Sequence, residues 1–158
     1  MEINGVPLHP LVIHAVVVFV PLAALSAILF AVVPRWRWLS RWPTAVLAVG
    51  AVVFTRLAVI SGNDLKDDRG LGVLELVQEH EEWADRLEIA VWVFAAVALL
   101  AWWALPYAAP LVGSAERTSP VATLATVVTV VLPILAVVVL VLAVITGDAG
   151  ARAVWKVE

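Results

Sequence analysis

The chain is written in long apolar runs separated by short polar ones, and its polar residues collect at a few boundaries. A membrane-crossing helix needs roughly 20 predominantly apolar residues. Four stretches meet that requirement, at about 11–33, 43–61, 74–105 and 120–146. The third is entered through an acidic segment in which Leu74, Val77 and Trp83, with His80 between them, recur at the spacing of one helical face. Pro10 suits a first helical turn. Pro21 and Pro133 lie inside the first and fourth spans and are expected to kink them, while Pro34 and Pro106 end the first and third. The pattern predicts an all-α chain: a four-transmembrane-helix bundle of up-down topology, one membrane domain over residues 1–158.

The pattern also repeats. Ala58-Val59-Ile60-Ser61-Gly62-Asn63 returns as Ala143-Val144-Ile145-Thr146-Gly147-Asp148, each closing the second helix of a hairpin. Each hairpin is entered near a histidine, His9 or His80, so the bundle reads as two tandem helical hairpins. The Ser/Thr-Gly-Asn/Asp ends read locally as helix C-caps, with glycine left-handed. Thr123, Thr126 and Thr129 are expected to bond back to their own helix or across to a neighbour.

Composition narrows the class. The chain is 63% hydrophobic and 15% charged, against about half and a quarter in soluble domains. Cysteine is absent, which removes disulfides and thiolate chemistry. A net charge of −3 with dispersed bases argues against nucleic acid as a partner. The N-terminus has no basic region typical of a cleaved signal, so the first span is expected to serve as its own uncleaved one. The Arg35-Trp36-Arg37-Trp38 tract, with Arg41 and Trp42, is what a headgroup interface selects. Other bases divide between the two ends, Arg117 on the side of this tract, Lys66, Arg69, Arg86, Arg152 and Lys156 opposite. The three-arginine cluster places its own loop in the cytoplasm by the positive-inside bias. Both termini are then outside, in a multi-pass protein of the plasma (inner) membrane.

Up-down connectivity gathers His9, His14, Asn63, Asp64, His80, Glu81, Asp85, Asp148 and Arg152 at one outer mouth. Arg56 and Glu88 enter the spans from that end, and an ionisable residue inside a span is a functional candidate; the two also have the option of neutralising each other.

The residues at these positions resemble a known family. His9-Pro10-Leu11-Val12-Ile13-His14 is similar to the opening His-Pro-x-x-x-His of a bacterial membrane family catalogued as domain of unknown function 2231 (DUF2231). Ser61-Gly62 with Asp64, His80 ahead of the third span, and Gly147 and Gly150 with Val154-Trp155 extend the likeness over essentially the whole chain. Trp155 and Val157 stand where members often carry tyrosine and histidine, so no role for that terminal histidine transfers. The resemblance implies a four-helix membrane protein and supplies no activity.

The leading functional expectation is a cofactor or metal site at the mouth. His14 and His80, on facing helices, suit the axial positions of a b-type haem, with Arg56 or Arg86 for a propionate. Alternatively His9, His14, His80 and Asp148 offer donors for zinc, copper or iron. His9 and His14, five residues apart, share one ion only if His9 precedes the helix. Two other classes stay open. One is an ion- or proton-conducting path lined by Arg56, Glu88 and the histidines. The other is an accessory or assembly subunit whose polar face binds a membrane-complex partner or a second copy. No nucleophile–base or paired-carboxylate arrangement emerges, so the chain is not expected to be an enzyme on its own. The lipid bilayer is an expected partner.

Overall fold

Helix boundaries follow the apolar runs but overshoot them on the histidine side. A computed structural model describes residues 1–108 and 121–156. The expected loop from 109 onward with Arg117, the start of the fourth span at Pro120, and Val157 lie outside the described residues. Helix α1 spans Leu8–Val32, α2 Arg37–Asp68, α3 Glu75–Ala104 and α4 Ala122–Trp155. All four are long and apolar enough to cross a membrane.

Contacts between chain neighbours run in opposite order along the two partners. His9 meets Ala58 and Ser26 meets Thr44 between α1 and α2. Lys66 meets Glu81 and Arg56 meets Glu88 between α2 and α3. Glu79 meets Arg152 and Trp83 meets Thr146 between α3 and α4. Neighbours are therefore antiparallel, consistent with the up-down order. α1 also packs on α4 and closes the ring, leaving α1 and α3 facing across its diagonal.

Size, more than hydropathy, decides which face turns inward. Ala23, Ala24, Ala27 and Ala31 of α1 are buried, as are Ala95, Ala98 and Ala101 of α3, while Val17, Val18, Leu22 and Leu25 are exposed. Lipid tails are as apolar as leucine, so helices in a bilayer associate by close packing, which small residues permit. Ser26 Oγ and Thr44 Oγ1 add a hydrogen bond of 2.8 Å across α1 and α2. Ser26→Ala leaves the fully buried Thr44 hydroxyl without this partner. It is expected to lower unfolding stability by about 1 kcal/mol, read from thermal melts in detergent against Ser26→Thr. Thr126 and Thr129 bond back to Ala122 and Ala125, one of the two expected arrangements.

Several helix ends differ from the sequence reading. α2 runs through Ser61-Gly62 to Asp68, and α4 through Thr146-Gly147 to Trp155. Neither Gly62, Gly147 nor Gly150 has a positive φ, so none is a left-handed cap. That role falls to Gly70, at φ +63°, whose N–H donates to the Asp67 carbonyl at 3.2 Å. α1 and α4 continue through Pro21 and Pro133.

The arginine tract is corrected too. Arg35 is exposed, but Arg37 and Arg41 are buried. Arg37 donates to the Phe30, Ala31 and Pro106 carbonyls at 3.1, 3.0 and 3.4 Å, closing the last turn of α1. Arg41 donates to the Trp102 carbonyl in the last turn of α3 and lies over the Trp102 and Tyr107 rings. These two side chains tie helix ends together inside the bundle, where the free carbonyls and the negative end of the helix dipole favour a cation.

Candidate functional site

The chain enters α1 through a feature absent from the sequence reading. Strands β1 (Glu2–Ile3) and β2 (Val6–Pro7) form a minimal antiparallel hairpin around Asn4-Gly5, both at positive φ. Asn-Gly between two short strands is the sequence signal for such a turn. The hairpin brings the Met1 amine to Asp64 on α2 and starts the helix at Leu8. His9 is thus the second residue of α1 rather than a residue ahead of it.

From that position His9 crosses to α2, where its Nδ1 lies 2.9 Å from the Ala58 carbonyl oxygen. His80 crosses from α3 to α4 in the same way, its Nδ1 3.1 Å from the Thr146 carbonyl. A helical carbonyl points along the axis toward the residue four positions on. A ring that reaches it from outside must lie over that residue. The residue four beyond Ala58 is Gly62, and four beyond Thr146 is Gly150. A Cβ on Gly62 would stand 2.9 Å from His9 Cε1, and one on Gly150 would stand 2.9 Å from His80 Cε1. Each glycine is therefore a seat for an imidazole.

This geometry revises the internal repeat. The sequence echo pairs Ala58 with Ala143 and Gly62 with Gly147. The structure pairs Ala58 with Thr146 and Gly62 with Gly150, three residues later in α4, and nothing approaches Gly147 within 4 Å. A three-residue slip keeps a residue near the same helical face, which is why the echo still fell on the correct side.

The two rings meet across the diagonal of the bundle, their centroids 6.2 Å apart and their planes at 72°. A carbonyl oxygen only accepts, so each Nδ1 carries a proton, and a ring in its neutral form keeps its lone pair on Nε2. Neither Nε2 bonds a described residue. Metal-binding histidines are commonly oriented by this second-nitrogen bond to a backbone carbonyl.

Both histidines line a cavity of about 750 Å³ that opens at the mouth. Its walls are chiefly apolar, among them Val17, Val59, Leu87 and Ala143. Thr55, one turn deeper than Ala58, lines it with a buried hydroxyl that has no hydrogen-bond partner among the described residues. Charged clamps surround the opening. Lys66 of α2 meets Glu81 at 2.6 Å, and Arg152 of α4 meets Glu79 through two bonds of 2.8 and 2.9 Å. Glu79, His80 and Glu81 thus join α3 to both of its neighbours.

The other expected site residues are placed differently. His14 is exposed at the cavity's edge, its Nδ1 2.7 Å from the Pro10 carbonyl of its own helix. Asp148 is exposed and bonded to Arg152 at 3.0 Å. His9, His14, His80 and Asp148 do not converge, and among the described residues no three His, Asp or Glu side chains are grouped closely enough to hold a metal. Arg56 does not line the cavity; its Nη1 pairs with Glu88 at 3.2 Å. Arg86, the other expected propionate partner, pairs with Glu82 on its own helix. The sequence reading joined His14 to His80; the structure joins His9 to His80. Ala58-x-x-x-Gly62 and Thr146-x-x-x-Gly150, a carbonyl and the glycine that uncovers it, were the missed signal.

A family model described as a predicted membrane protein (DUF2231) matches residues 5–158. The chain belongs to that family. No curated protein and no solved structure matches it.

Proposed function

We propose that this DUF2231 member is a haem-binding electron carrier of the plasma membrane, in which His9 and His80 would hold the haem through Nε2. The observation that carries the reading is the pair of carbonyl-oriented imidazoles 6.2 Å apart. Both rings would be free to hold a metal-bearing group through Nε2, since each Nδ1 is engaged by a carbonyl. Two neutral nitrogens are a poor complement for a bare divalent ion. A tetrapyrrole would bring its own nitrogen donors and would ask of the protein only His9 and His80. It also needs an apolar slot, and the 750 Å³ cavity falls in the range of cofactor pockets. Lys66 lines the cavity wall, and a propionate there would have to share it with Glu81.

A haem held by His9 and His80 would supply one-electron transfer rather than oxygen chemistry. A conducting path finds less support. Phe30, Phe94, Leu105 and Val128 fill the interior toward the opposite end. By the positive-inside bias of Arg35, Arg37 and Arg41, the histidine mouth faces outward, where a redox partner has access to it.

Purified protein from cells supplied with haem precursor is expected to show a Soret band, with sharpened α and β bands after dithionite. His9→Ala and His80→Ala each remove the low-spin spectrum, whereas His14→Ala keeps it. A featureless visible spectrum from folded protein, or a Soret band unchanged in both variants, overturns the reading.

A further inference from the structure

We propose that the outer face between α2 and α3 binds one anionic phospholipid, its phosphate on Arg56 and an acyl chain in the groove beneath. The Arg56–Glu88 pair is lopsided. The arginine side chain is 54% exposed and the glutamate only 14%, so the surroundings meet the cation. Nη1 alone serves both Glu88 oxygens, and Nε and Nη2 bond no described residue. Guanidinium donors left bare beside hydrocarbon are costly. A phosphate oxygen answers that need better than any neutral lipid group, because guanidinium and phosphate match in charge and planar geometry.

The groove continues directly from this pair. Val53, Val52 and Val49 lie three, four and seven residues below Arg56 on α2, and Trp92, Ala95 and Ala96 lie four, seven and eight beyond Glu88 on α3. These are same-face spacings. Together these residues line a wholly apolar cleft of about 390 Å³. Depth fits as well. Arg56 is 14 residues along α2 from Trp42 of the aromatic belt, or about 21 Å. In a hydrocarbon layer of about 30 Å that leaves about 9 Å to the mouth-side boundary, a gap an arginine narrows by extending toward the headgroups.

Native mass spectrometry of the protein released from mild detergent, titrated with phosphatidylglycerol or phosphatidylcholine, tests this. Wild type is expected to retain phosphatidylglycerol at least fivefold better. Arg56→Gln removes that preference, Ala96→Phe fills the groove and weakens both lipids, and Arg86→Gln, whose charge lies away from the groove, changes neither. Equal retention of the two lipids by wild type, an undiminished preference in Arg56→Gln, or undiminished retention of both lipids in Ala96→Phe overturns the proposal. So does an Ala96→Cys variant that forms a disulfide dimer in membranes, since a second copy then occupies the face; the chain has no other cysteine to confuse the result.

Discussion

Alanine at Gly62 or Gly150 dismantles the imidazole pair while leaving all four helices standing. The added Cβ would lie 2.9 Å from a ring carbon and 3.0 Å (His9) or 3.2 Å (His80) from Nδ1. Real contacts of that kind do not persist, so the ring must lift and its carbonyl bond must break. The helix itself gains, because alanine is favoured over glycine in a helix interior by about 1 kcal/mol. The expected result is a melting temperature held or raised, together with at least a tenfold loss of haem affinity. A readout independent of haem is ¹⁵N NMR of the histidines, in which the uniform Nδ1–H tautomer gives way to a mixture. Gly147→Ala is the control. Nothing lies within 4 Å of that position, so the site stays intact; were Gly147 a C-cap, the same change would destabilise the helix end. An unaltered spectrum and tautomer in Gly62→Ala and Gly150→Ala would refute the seat.

Arg37→Ala produces the largest loss of stability, about 3–5 kcal/mol, because a buried charge-assisted network is removed and its acceptors are left without partners. The side chain is 7% exposed and holds two last-turn carbonyls of α1 as well as the Pro106 carbonyl after α3. Lysine is expected to recover less than half of the loss, since a single ammonium cannot span acceptors that the guanidinium fork reaches together. Arg35→Ala, at an exposed position, should cost under about 0.5 kcal/mol. Unfolding in mixed micelles with graded SDS measures all three. Equal, small effects for Arg35 and Arg37 would return the tract to a purely interfacial role.

How much was legible follows from what each residue pattern encodes. Apolar runs of membrane length sufficed for the four helices, and the Leu74–Trp83 periodicity correctly joined the acidic segment to α3. The helix ends at 61 and 146 were misplaced because a glycine that caps a helix and one that seats a ring look alike in one dimension. Only φ separates them: Gly70 is left-handed, while Gly62 and Gly150 are helical. The sequence reading paired His14 with His80 and began the first span at about residue 11, beyond His9. The Asn4-Gly5 turn, which starts the helix at Leu8, went unread.

The sequence by itself determined the class of molecule, the four helices long enough to cross a membrane and the end at which the histidines gather. Those properties depend on hydropathy and connectivity, which are carried along the chain. Tertiary structure decided which imidazole reaches which helix, which arginines are buried and which charge faces lipid. In a chain this apolar, nearly every face of every helix satisfies the same hydropathy test. Rotation about each axis is set instead by where small residues let helices close and where a carbonyl lies uncovered. Those are relations between helices, and they exist only once the bundle has packed.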